Sequence, residues 1–82
     1  MDEFDLTQTA PVSERALIAR IRQRLAQDGA LLKGARGIAE AELGRWFIVD
    51  EQRGVITASR IDLEKLGREV GVLAPHERLV EE

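Results

Sequence analysis

An α+β fold is predicted by three features of this sequence. They are a strand-turn-strand signature centred on Gly54, an amphipathic helical stripe before it, and a shorter capped helix after it. The predicted order is α-β-β-β-α: an N-terminal helix over 13–28, a two- or three-stranded antiparallel sheet centred on 45–60, and a second helix over 62–70.

The hairpin organises the rest. Arg45-Trp46-Phe47-Ile48-Val49 is an aromatic and β-branched run too short for a helix, which suits a pleated, half-buried surface. Glu51-Gln52-Arg53-Gly54 supplies a four-residue loop ending in the one residue type that takes positive φ without steric cost, and Val55 to Arg60 returns as the partner strand. That loop length sets Asp50 opposite Val55, Val49 opposite Ile56 and Phe47 opposite Ala58, an apolar face expected to point into the core. The other face, Trp46, Ile48, Val55 and Thr57, is then expected to point outward. It is too apolar for a solvated sheet face, so the first helix, a tail or a second molecule must cover it.

The first helix is marked by Ser13 as N-cap, by Leu17, Ile18, Ile21 and Leu25 on one face, and by Gly29 as its stop. The last helix has Ser59 or Asp62 at its start, Leu63, Leu66 and Val70 as its stripe, and Gly71 at its end. Gly67 interrupts it at a cost of about 1 kcal/mol at an exposed site. Either the helix is marginal there or a close backbone approach favours the missing side chain.

Between helix and hairpin, Ala30-Leu31-Leu32-Lys33 fits a third strand, and 38–43 suits a strand or a helical turn equally. Residues 1–12 are expected to be a disordered acidic tail, 13–80 a single domain, and 81–82 a frayed end. Pro75 breaks regular structure, and a last turn is expected over 76–80.

Composition narrows the function. The chain has 82 residues, 44% of them hydrophobic, enough for one small core, and no cysteine, which removes disulfides and thiolate metal sites. No apolar run approaches the roughly 20 residues that span a bilayer, and the first residues are acidic where an export signal is basic. A cytoplasmic protein is expected. The net charge of −3 is uneven: acids dominate both ends, while the centre is mildly basic.

Nucleophilic catalysis needs a nucleophile, a base and an orienting group, and with His76 as the single histidine no such set is evident. No catalytic, metal or cofactor site, no small-molecule substrate and no membrane partner are therefore expected. The glycine-rich, basic loop 33–37 lacks phosphate-loop spacing. Ten of the twelve basic residues are arginine, a residue suited to carboxylate and phosphate.

Three resemblances bear on these residues. The order of helix, three strands and helix is similar to double-stranded RNA-binding domains, but Asp62-Leu63-Glu64-Lys65 is acidic where that family carries lysines, so RNA binding is not implied. Leu63 to Val72 resembles the first helix and turn of a helix-turn-helix, which implies a recognition helix within 62–80. Gly44 to Asp50, followed by Ile56 to Leu73, resembles small bacterial proteins that share an aromatic-Val-Asp hairpin and a helix of this pattern. That likeness implies no activity.

The functional expectation is a non-enzymatic interaction module that self-associates as a homodimer, or binds a protein partner, through Trp46, Ile48, Val55 and Thr57. The alternative is nucleic-acid binding through Arg15, Arg20, Arg22, Arg24, Lys33 and Arg36.

Overall fold

A computed structural model describes residues 10–80. Its elements run β1 (Ala10–Ser13), α1 (Glu14–Ala26), β2 (Ala30–Gly34), α2 (Ile38–Leu43), β3 (Trp46–Asp50), β4 (Val55–Ala58), α3 (Leu63–Glu69) and β5 (Glu77–Val80). The α+β class holds, with an antiparallel sheet in the order β2-β3-β4 and a separate parallel pair, β1-β5.

Both main helices start where their caps direct. The Ser13 hydroxyl accepts from the Ala16 amide at 3.1 Å, and the Asp62 carboxylate accepts from the Lys65 amide at 3.1 Å. Leu17, Ile21 and Leu25 of α1 are buried, and the first two are completely shielded from solvent. Burial on that scale contributes roughly 1.5 to 3 kcal/mol per side chain. Leu63 and Leu66 of α3 join them, with Leu73 from beyond the Gly71 turn. Gly67 resolves in favour of the close approach: a Cβ there would lie 2.9 Å from Leu17 Cδ1 and 3.2 Å from Leu73 Cβ.

The hairpin loop has the expected length, with Gly54 at φ 67°, and Asp50 pairs with Val55 and Val49 with Ile56. Beyond Val49 the pairing departs from expectation. Ile48, not Phe47, faces Ala58, because a bulge shifts the register and leaves Thr57 as the extra residue on β4. The expected orientation is also reversed. Ile48 is buried, and Trp46 and Ala58 pack against the core, so the Trp46/Ile48 face is the inner one.

Shape explains the reversal. Trp46 pairs with Gly34 on β2, and its ring lies 3.3 Å from where a Gly34 Cβ would sit, using the space that glycine leaves. Leu32 is buried beside Ile48, its cross-strand partner. Of the three candidates for covering this face, the first helix does so, since α1 packs along β2.

Three further segments differ from expectation. Residues 38–43 are helical, as α2. Residues 10–12, assigned to the tail, belong to β1, and Val12 is buried. The turn expected over 76–80 is instead β5, which runs parallel to β1 with Val12 beside Leu79. The rest of the expected tail, and 81–82, lie outside the described residues.

Polar groups fix β5 to the helices. Arg20 Nη1 donates to Glu77 Oε1 at 2.9 Å and to the Val72 carbonyl at 3.1 Å, and the Ala74 amide donates to the same carboxylate oxygen at 2.9 Å. The Leu79 amide donates to Glu64 Oε2 at 3.0 Å, and Arg68 donates to the Glu77 carbonyl at 2.9 Å. These bonds, with the Ala10 amide on the His76 carbonyl at 2.8 Å, hold the last segment as a strand. The helix-turn-helix expectation over 62–80 is therefore overturned: β5 occupies the place of a recognition helix.

Candidate functional site

With Trp46 and Ile48 turned inward, the apolar residues left on the outer side of the sheet are Leu31, Phe47, Val49 and Ile56. Strand pairing sets Leu31 beside Val49 and Val49 beside Ile56, with Lys33 beside Phe47. Side chains directly opposite one another share a face, so these residues form one surface across all three strands. Leu31, Phe47 and Val49 are half-buried, Ile56 is 49% exposed, and none of the four belongs to the core cluster.

Of the four residues expected to form the contact surface, Trp46 and Ile48 are thus core-facing. Val55 is 44% exposed at the turn end of β4, and Thr57 is exposed at the bulge, its hydroxyl 3.4 Å from the Ile48 carbonyl. Gly34 leaves room for the Trp46 ring on the face they share, but no sequence signal says that this face is the one that meets α1.

The two edges of the sheet differ. Along β2, Arg22 Nε donates to the Leu32 carbonyl at 3.3 Å, which blunts that edge with a charged side chain. β4 is the other edge, with four residues and the bulge.

The basic residues fall into groups. Arg20 and Arg24 lie on one flank of α1 and, with Gln23, Gln27 and Val72, line a shallow groove of about 280 Å³. Both are engaged, Arg20 as above and Arg24 with Asp28 at 2.8 Å. Arg22 is on the opposite flank, and Arg15, two helical turns earlier, is exposed on that same side. Lys33 belongs to the outer sheet face.

Arg22 and Arg36 meet in a larger cleft of about 590 Å³, walled by Gly34, Ala35, Glu40, Arg45 and Trp46. Sequence reasoning missed Arg45 and Glu40. The Ala35 amide donates to the Arg45 carbonyl at 2.9 Å, which brings the 34–36 segment against the start of β3, and no sequence pattern announces that pairing. The Arg45 guanidinium lies 5.8 Å from the centre of the Trp46 ring, within cation-π range, and 3.5 Å from Glu14. Among the described residues Arg36 makes no hydrogen bond or ion pair.

One carboxyl stands out electrostatically. The Ala74 amide, and then the Arg20 guanidinium, hold Glu77 below its ordinary value of 4.5. This serves the attachment of β5 to α1. No helix among the described residues is long and apolar enough to cross a membrane. Comparison with protein families, with curated proteins and with solved structures returns no match.

Proposed function

We propose that this chain is a non-enzymatic, cytoplasmic interaction module, and that the partner of its outer sheet face is a second copy of itself. The observation that carries this reading is the continuous apolar surface of Leu31, Phe47, Val49 and Ile56, which lies outside the core cluster, with the first three half-buried and Ile56 49% exposed. Two such faces, stacked roughly 10 Å apart as in a β-sandwich, remove it from water.

Charge favours a like partner. Lys33 stands at one end of the face, and Glu51, whose amide bonds to the Gly29 carbonyl at 2.9 Å, stands at the other. A two-fold axis perpendicular to the strands lays the Lys33 end of one copy over the Glu51 end of its mate. The contact is then isologous, each copy contributing the same patch.

Sedimentation equilibrium over a range of concentrations tests this, with Ile56→Lys as the probe. Ile56 is half in solvent and outside the core, so the variant should keep the thermal midpoint of a folded chain. The expected result is a reversible dimer for the native chain and a monomer for the variant. A native chain that stays monomeric at about millimolar concentration, a contact worth less than roughly 4 kcal/mol, overturns the reading.

A further inference from the structure

We infer that the cleft between α1, the 34–36 segment and the start of β3 is a phosphate-binding site, and that its ligand is a nucleotide, free or within a strand. Three guanidinium groups, those of Arg22, Arg36 and Arg45, line it, and two carboxylates stand beside them, Glu40 in the lining and Glu14 at 3.5 Å from Arg45, which leaves one positive charge in excess. This is a concentration of positive charge on a chain whose net charge is −3. Like charges that converge without enough acid beside them repel one another, and an anion in the cleft relieves that repulsion.

The geometry of the cations suits a phosphoryl group. Arg22 is anchored through Nε on the Leu32 carbonyl at 3.3 Å, so its terminal nitrogens are held by a strand rather than by a mobile stem. Arg45 is more exposed, with 65% of its side chain in solvent, and has the Trp46 ring at 5.8 Å and Glu14 at 3.5 Å as neighbours. An anchored, planar guanidinium loses less freedom when it grips two oxygens of one anion, and that fork matches phosphate. Arg36 closes the opposite wall as an exposed side chain.

The ring of Trp46 separates a nucleotide from a bare anion. It lines the same cleft as the three guanidiniums and is half-buried, which gives a base or ribose an apolar wall beside the phosphate. Arg15, on the same flank of α1 and about 10 Å from Arg22 along the helix axis, extends the positive track beyond the cleft. A strand would follow that track; a mononucleotide would not reach it.

Trp46 is the only tryptophan, so its fluorescence reports on this cleft alone. The native chain is titrated at low salt with inorganic phosphate, a nucleoside diphosphate and a short single-stranded oligonucleotide. The expected result is a saturable change in Trp46 emission with the diphosphate, weakened about tenfold in Arg36→Ala and unchanged in Arg53→Ala, which alters the distant hairpin loop. If the ligand is a strand, the oligonucleotide binds more tightly than the diphosphate, with steep salt dependence, and Arg15→Ala weakens the oligonucleotide only. If it is a free nucleotide, inorganic phosphate competes and Arg15→Ala changes nothing. Two results overturn the site. One is no emission change with any of the three ligands at about 10 mM, a contact below roughly 3 kcal/mol. The other is binding that Arg36→Ala leaves intact.

Discussion

At the scale of single residues, Gly67 and Glu77 carry definite consequences. An alanine at 67 gains about 1 kcal/mol of helix propensity, but its methyl meets Leu17, a side chain with no exposed surface, and the Cβ of Leu73. Overpacking of that kind costs about 1 to 3 kcal/mol, so, net of the propensity gain, Gly67→Ala should lose up to about 2 kcal/mol in urea unfolding. This glycine was legible as an anomaly, since its position in the helix interior demanded a reason. Which reason applied depended on α1 crossing there, and that no local pattern records.

Glu77 yields a pH dependence. Its carboxyl sits below its ordinary value of 4.5 in the folded chain, so the folded chain holds that proton less tightly than the unfolded one. Its stabilising effect is complete above the ordinary value and is lost as pH falls through the lowered, folded value. In Glu77→Gln this part of the acid loss is absent. The urea midpoint of the variant should therefore fall less steeply below about pH 4.5 than that of the native chain.

At the scale of elements, capping decides where helices begin, and it was readable from Ser13 and Asp62 alone. Ser13→Ala and Asp62→Ala each free a helix amide from its acceptor and should each lower stability by about 1 kcal/mol, measured by thermal unfolding. The strands were readable as strands, and the loop fixed their first two pairs correctly. What failed was orientation. Both faces of the hairpin are apolar, so alternation could not say which one meets α1, and the bulge at Thr57 moved Ala58 from the Phe47 side to the Ile48 side. The segment 38–43 alternates like a strand, yet its alanines and glutamates let it close as α2, and composition did not decide between the two. β1 and β5 escaped notice for another reason. A parallel pair joins residues 67 positions apart, such as Ala10 and Glu77, and each strand is too short to carry a periodic signal.

At the scale of the whole molecule, one apolar sheet face is covered by a helix and the other lies outside the core cluster, with Ile56 49% exposed on it. The residues of both faces were visible in the sequence, and the idea that a surplus apolar face needs a partner came from them. The correction lies in which side remains surplus: Leu31, Phe47, Val49 and Ile56 replace Trp46 and Ile48. The basic cleft was visible only in part. Arg22 and Arg36 were on view as basic residues, but Arg45 joins them solely through the pairing of Ala35 with its carbonyl.

The most direct test is an isotope-filtered NOE experiment on a mixture of labelled and unlabelled chains, which reads only contacts between copies. The expected result is cross-copy NOEs among the Leu31, Val49 and Ile56 methyls, and none from Leu32 or Ile48. Cross-copy NOEs from Ile48, or their absence from all five residues at concentrations where the chain is dimeric, would contradict the account.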